Sequence, residues 1–264
     1  MKSIFDFFNK KKQAQKISMI TCYDYSWAKL INKSPIDAVL VGDSAAMVMH
    51  GEKTTVPATM EMMIEHCKAV VKGCPDKFVI GDMPFASYRI GFEQSMLNMQ
   101  RIMQTGVSAL KLEGAQGHLD LVAHAVQSGI PVMGHLGLTP QSVFQLGGFK
   151  VQGKDSASQE KIMQDALALE KAGCFSLVLE CVPSALAEKI AKALTIPVIG
   201  IGAGANVDGQ VLVLQDLMGF QTDFSPKFVR KYFNAANVFA EVFGQYHKDV
   251  TESKFPSHEE SYDI

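Results

Sequence analysis

The chain is 264 residues long, 47% apolar and 20% charged, with a formal net charge of −2. That length admits two small domains or one α/β barrel of about 250 residues, and the composition is that of a soluble globular protein with a large core. A charge so near zero gives no general attraction to nucleic acid or an anionic membrane, and no apolar run reaches the roughly 18 residues that signal a transmembrane helix. Five scattered cysteines, Cys22, Cys67, Cys74, Cys174 and Cys181, are odd in number and include no C-x-x-C pair. They argue against a zinc site or disulfide framework and for a reducing, cytoplasmic compartment.

The N-terminus starts with a charge, lacks the long apolar stretch of a signal peptide, and reads as an amphipathic helix with Lys10, Lys11 and Lys12 solvated at its end. Residues 17–24 form a β-like run, 26–32 a short helix closed by Lys33-Ser34-Pro35, and 38–41 a second strand leading into Gly42-Asp43-Ser44. A long loop holds residues 50–57. Thr59 then N-caps a helix to about Lys72, with Gly73 as terminator. The third strand, 78–81, is broken by Met83-Pro84; in the helix from Gly91 to Gly106, methionines at helical spacing read as core. Strand four is 109–112, a helix covers 118–128, and strand five is 130–134. The Gly- and polar-rich stretch 135–158 is long for a structureless loop and is a functional-loop candidate.

A helix over 159–171, strand six at 175–179, a helix over 184–194 and strand seven at 196–201 follow. Gly200-Ile201-Gly202-Ala203-Gly204 lacks the G-x-G-x-x-G spacing of a dinucleotide loop and suits a tight turn or close backbone approach to a ligand. Strand eight is 211–214, a helix spans 227–250, and an acidic tail runs to Ile264, mobile or lying on a partner subunit. Eight strands alternating with helices, without a linker-like shift in composition, favour α/β architecture of one kind. The expectation is a single (β/α)₈ TIM barrel over residues 1–264, with an N-terminal helix and a C-terminal helical extension; a doubly wound open sheet is the alternative that periodicity alone does not exclude.

Four of the apolar runs deliver an acid at their C-terminal ends: Asp43, Asp82, Glu113 and Glu180. In a parallel barrel those ends share one face, where barrel enzymes carry their chemistry. Two aspartates brought together repel, and a hard divalent cation such as Mg²⁺ removes the conflict. Alternatively Asp43 and Asp82 cap neighbouring helices independently, and spacing alone does not choose. Glu113 could serve the same ion directly or through water. Lys111 alternates with Leu110 and Leu112. If it faces the interior it can neutralise a substrate anion or an enolate; otherwise it snorkels to solvent. His135 ends strand five as a structural or catalytic group. Glu180, placed away from the ion, keeps its basicity and is the candidate general base.

Several segments together resemble the ketopantoate hydroxymethyltransferase (3-methyl-2-oxobutanoate hydroxymethyltransferase) family. They include Val41-Gly42-Asp43-Ser44, Gly81-Asp82-Met83-Pro84-Phe85, Lys111-Leu112-Glu113-Gly114 and the run from Gly134-His135 through Thr139-Pro140-Gln141-Ser142. Gly147 to Gly153, Leu179-Glu180-Cys181-Val182-Pro183 and Ile199 to Gly204 continue the match. The resemblance implies a barrel of the phosphoenolpyruvate/pyruvate type. Asp43 and Asp82 would ligate Mg²⁺ with Glu113 in its coordination sphere, while Asp43, Ser44, Asp82 and Lys111 contact a 2-oxo acid. His135 would neighbour the substrate and Glu180 would accept the proton. It further implies transfer of a hydroxymethyl group from 5,10-methylenetetrahydrofolate to 3-methyl-2-oxobutanoate, giving 2-dehydropantoate (ketopantoate) in pantothenate and coenzyme A biosynthesis, by a homodecamer. Departures are Cys22 for the usual alanine, Ala45-Ala46 for Leu-Gly beside the site, and Phe149 for tyrosine. Two rivals remain: a related Mg²⁺-dependent 2-oxo acid aldolase or C–C lyase that needs no folate, and a non-catalytic barrel that binds a small acid or a protein.

Overall fold

A computed structural model describes residues 1–221 and 226–262. The short apolar runs become eight strands: β1 (Ile17–Thr21), β2 (Ala38–Val41), β3 (Phe78–Asp82), β4 (Ala109–Glu113), β5 (Val132–Gly137), β6 (Ser176–Glu180), β7 (Val198–Ile201) and β8 (Gly209–Leu212). Each pairs in parallel with its neighbours in chain order, and β8 returns to β1 to close the barrel. The helices are α1 (Ile4–Lys12), α2 (Tyr25–Asn32), α3 (Ala45–Val48), α4 (Met60–Gly73), α5 (Phe92–Met103), α6 (Leu119–Gln127), α7 (Val143–Leu146), α8 (Ser156–Lys171), α9 (Ser184–Ala193), α10 (Leu214–Met218) and α11 (Ala235–Thr251). The (β/α)₈ barrel expected from the sequence is the observed fold.

The chain divides into two compact units, Met1–Val213 and Leu214–Ile264. The first contains the whole barrel and α1 to α9. The second contains α10, α11 and a 3₁₀ turn at His258–Glu260. The last two residues of the expected acidic tail, 263–264, lie outside the described residues. Among the described residues no helix is long and apolar enough to cross a membrane.

Thr59, the expected N-cap, accepts a hydrogen bond from Met62 N–H at the start of α4, which includes Gly73 and is capped by Cys74. Asp24, expected at the end of the first β-like run, instead caps α2 by accepting from Trp27 N–H. At the opposite end of the barrel from the strand C-termini, α1 inserts Phe7 between Phe78 and Phe175, with ring centroids 5.2 and 5.1 Å apart. Phe78 opens β3 and Phe175 immediately precedes β6, so this edge-to-face trio, packed on Ile17, Met19 and Ile80, closes the N-terminal mouth. The other mouth is left for chemistry.

Three further expectations are corrected. β8 starts at Gly209 and ends at Leu212, whereas Leu214 opens a helix. The strand is set by backbone pairing of Gly209 with Ile17 and Ile199, which an apolar run cannot reveal. The helix expected from 227 starts only at Ala235, because Tyr232 N–H is turned onto the Leu217 carbonyl at 2.8 Å. The stretch 135–158 is not one loop: β5 continues to Gly137, and a 3₁₀ turn at Pro140–Ser142 and α7 follow.

Candidate active site

Strand alternation turns Lys111 and Glu113 to the same side of β4, away from Leu110 and Leu112. Parallel register then sets their neighbours: Asp82 on β3 lies opposite Lys111, and His135 on β5 lies opposite Glu113. Lys111 Nζ is 3.1 Å from Asp82 Oδ1, 3.9 Å from Glu113 Oε1 and 3.2 Å from His135 Nδ1. His135 spans two carboxylates, with Nδ1 3.3 Å from Glu113 Oε1 and Nε2 3.2 Å from Glu180 Oε2 on β6. Asp43, just past β2, donates its backbone N–H to Asp82 Oδ2 at 3.0 Å. A Cβ at Gly42 would lie 2.7 Å from Ser44 Oγ, so a larger residue there would displace the Ser44 hydroxyl.

Asp43, Asp82, Lys111, Glu113, His135 and Glu180 therefore form one continuous set of contacts at the C-terminal face. Ser44 is attached differently: its hydroxyl pairs with the Tyr23 hydroxyl at 2.8 Å. Lys111 does not snorkel; its side chain is 5% exposed and Asp82's is 2%, whereas Glu180 at the end of the row is 17% exposed. The turn after Glu180 is tightly determined. Cys181 adopts a left-handed backbone with φ 47°, and Gly137, with φ 91°, lies against the Glu180 carbonyl where a Cβ would overlap it.

Three fully buried carboxylates facing one lysine make an unbalanced charge set. Burial, reinforced by Glu113 and Asp82, pushes the Asp43 carboxyl well above the ordinary range. Burial also raises Asp82, although Lys111 and the Asp43 N–H pull the other way. Glu113 goes down: burial opposes its charge, but His135, Lys111 and the Gln141 N–H outweigh it. For Lys111, burial disfavours the ammonium, yet Asp82, Glu113 and Asp43 hold it well above its usual value, so it is a fixed cation rather than a free amine. His135 is pushed up to about 9; burial and Lys111 oppose the charged ring, and Glu113 and Glu180 overcome them. The Lys111 contact suits a neutral ring and the two carboxylate contacts suit a charged one. The carboxylate contacts outweigh the lysine, so the charged ring is favoured.

Asp82 Oδ1 and Glu113 Oε1 are buried and accept no hydrogen bond. Lys111 and His135 approach them at ion-pair distance without hydrogen-bond geometry. Surplus negative charge and orphaned carboxylate oxygens are what a hard divalent cation satisfies. Among the described residues, no group of three or more His, Cys, Asp and Glu side chains forms a ready-made metal cage. Mg²⁺ does not require one, because it is usually held by one or two carboxylates while water and substrate oxygens complete its shell. The donor set fits such an ion.

Sequence reasoning missed two buried residues that brace the site. Gln141 donates from Nε2 to Asp43 Oδ2 at 2.9 Å and to the Met83 carbonyl at 2.8 Å, while its backbone N–H donates to Glu113 Oε2 at 3.0 Å. The Tyr88 hydroxyl donates toward the Glu113 carbonyl at 3.1 Å and the Gln141 side-chain oxygen at 3.2 Å. A polar residue after Thr139-Pro140 signals a turn but not its target, and nothing in the periodicity marks Tyr88.

Comparison with known proteins decides the family. The model of the ketopantoate hydroxymethyltransferase family matches residues 2–258. The chain belongs to this family. A 3-methyl-2-oxobutanoate hydroxymethyltransferase of Bdellovibrio bacteriovorus is 57% identical, covering 99% of this chain and 100% of that protein. Enzymes of the same name from Coxiella burnetii and Francisella tularensis are 54% and 48% identical, covering 95% and 100% of this chain and 95% and 99% of their own lengths. The chain is thus an enzyme, a hydroxymethyltransferase by family. Among solved structures, a phosphonopyruvate hydrolase in complex with oxalate and Mg²⁺ aligns with TM-score 0.63 at 12% identity, covering 98% of this chain and 93% of that one. A 2,3-dimethylmalate lyase of the PEP mutase/isocitrate lyase superfamily aligns with TM-score 0.58 at 14% identity, covering 97% and 90%. At such identities the likeness is one of fold.

Proposed function

We propose that this hydroxymethyltransferase-family chain moves a one-carbon unit from 5,10-methylenetetrahydrofolate to 3-methyl-2-oxobutanoate, forming 2-dehydropantoate for pantothenate and coenzyme A synthesis in the cytoplasm. The observation that supports it most is the row Asp82, Lys111, Glu113, His135, Glu180, which runs from a fully buried acid pair to a more open carboxylate. Asp43 and Asp82, with Glu113 beside them, would hold Mg²⁺, and Ser44, Lys111 and His135 would contact the oxo acid. When bound, Mg²⁺ supplies Lewis acidity that makes the C–H beside a ketone easier to ionise.

The protein's own groups divide the remaining work. Glu180 takes the proton from C3 of the oxo acid, at the edge of the cluster where a substrate can reach it. The Lys111 ammonium is placed to stabilise the resulting enolate charge in a site largely closed to water. Water opens the N–CH₂–N aminal of the folate, breaking both C–N bonds. This releases tetrahydrofolate and leaves the carbon at the oxidation level of formaldehyde. The enolate carbon attacks that carbon, and the oxygen from water becomes the product hydroxyl. The folate brings the reactive carbon; the barrel orients it.

α11 leaves Val242, Phe243 and Tyr246 exposed at 53, 68 and 59%. An apolar face of that kind supports self-association, and we propose the homodecamer implied by the family resemblance. Incubating the chain with 3-methyl-2-oxobutanoate, with and without methylenetetrahydrofolate, tests the reaction. Product should require the folate, and folate-independent turnover of another oxo acid would favour the lyase reading.

A further inference from the structure

The strand ends at the C-terminal mouth divide into two halves. β2 to β6 and the turn after β2 bring the acids, the lysine and the histidine of the site. β7, β8 and β1 bring no charge, and their last residues are Ile201, Leu212 and Thr21. A branched 2-oxo acid divides in the same way, with a polar carboxylate and ketone at one end and a hydrocarbon branch at the other.

Ile201 is the apolar side chain that the sheet sets beside the general base. Glu180 has two register partners: Gly137 on β5, which carries no side chain, and Ile201 on β7. Registered residues on neighbouring parallel strands turn to the same side of the sheet. For this pair that side is the barrel interior. Two residues earlier on each strand, Val178 and Ile199 lie in the interior core with Met133 and Val211, and Ile201 packs on the same cluster. A Cβ added at Gly200, next to Ile201, would instead meet Val207 and Gln210 on the outer side. The Cys181 N–H donates to the Ile201 carbonyl at 2.9 Å, which fixes the two strand ends together. Ile201 is only partly buried, so some of its apolar surface is left free at the mouth.

Charge then decides where the branch goes. With the carboxylate and ketone toward Asp43, Asp82 and Lys111 and the C3–H toward Glu180, the two methyls on C3 lie to one side of that carboxylate. The β5 side is taken by the His135 ring, 3.2 Å from Glu180 Oε2 and charged between two acids. A methyl group gains nothing against an imidazolium, whereas apolar area removed from water against Ile201 is favourable. We propose that Ile201 is a specificity-determining residue for the hydrocarbon branch: the C3 methyls rest on it, and its bulk limits the length of the branch. The proposal rests on the 2-oxo acid reading given above.

Competition between two 2-oxo acids in one tube tests it. Racemic 3-methyl-2-oxopentanoate is longer than 3-methyl-2-oxobutanoate by one methylene, a difference worth about tenfold or more in kcat/KM in an apolar pocket. With Mg²⁺ and without folate, proton NMR follows exchange of both C3 hydrogens for deuterium, and the ratio of rates gives the ratio of kcat/KM. The ratio is independent of how much of a variant is folded, so a purely structural loss cancels. Wild type should favour the shorter acid about tenfold or more. Ile201→Val should reduce that preference about fourfold, the worth of one buried methylene, and Ile201→Ala about tenfold or more. Equal exchange of both acids by wild type, or wild-type preference in both variants, would overturn the assignment to Ile201 and leave the functional reading standing. Exchange of neither acid by the wild-type protein would overturn both.

Discussion

Gln141→Leu is the most informative single perturbation of the site. The substitution keeps bulk but deletes an amide that holds Asp43 Oδ2 at 2.9 Å, the Met83 carbonyl at 2.8 Å and the Tyr88 hydroxyl at 3.2 Å. Leaving a buried acceptor unpaired costs about 1–3 kcal/mol, and hydrogen bonds to charged groups are worth about 1.5–3 kcal/mol. Tyr88 keeps its bond to the Glu113 carbonyl, so about 2–4 kcal/mol of stability should be lost, read from the shift of a urea unfolding curve. The Gln141 amide also pulls the Asp43 carboxyl down, against burial and its acidic neighbours. Without it, Asp43 becomes a poorer ligand, and Mg²⁺ affinity measured by calorimetry should fall about tenfold or more, as losses of groups that orient metal ligands do. A variant with unchanged Mg²⁺ affinity and less than about 0.5 kcal/mol of destabilisation would refute the bracing role.

Two further outcomes concern the scaffold. Phe7→Ala should remove about 3–5 kcal/mol by opening a cavity among Phe78, Phe175 and the strand starts, seen as a lowered urea midpoint; full stability would show that α1 does not close the barrel. Asp37 ties α1 to the sheet through Lys10 at 2.7 Å and the Ser18 N–H at 2.9 Å. Burial opposes its charge, but those partners hold its carboxyl below the usual value. A depressed carboxylate stabilises the fold above its unfolded pKa of about 3.9 and loses that contribution as pH falls through the folded value. The stability gap between wild type and Asp37→Asn should thus be widest near neutrality and close below about pH 4; a gap that widens in acid would reverse the sign argued here.

Much of the barrel is legible in the sequence because its strands are buried on both faces. An apolar run that ends in Asp82 or Glu113 then stands out, and alternation alone turns Lys111 inward beside them. Closure brings Asp43, Asp82 and Glu180 to one mouth once the strand order is known. Other features are set by partners distant in sequence. Gln141 meets Asp43 across 98 positions and Tyr88 meets Gln141 across 53, so no local pattern announces either. The edge of β8 is invisible for the same reason: Gly209 and Gln210 are strand residues only because β1 and β7 flank them.

Exchange of the C3 hydrogen of 3-methyl-2-oxobutanoate with deuterium, followed by proton NMR in the presence of Mg²⁺ and without folate, isolates proton removal from one-carbon transfer. Wild-type protein should catalyse the exchange. Glu180→Gln should abolish it while still binding Mg²⁺ and the oxo acid, because the amide has no basic oxygen and the buried Asp43, Asp82 and Lys111 set is untouched. Undiminished exchange in Glu180→Gln would contradict the assignment of proton removal to this carboxylate.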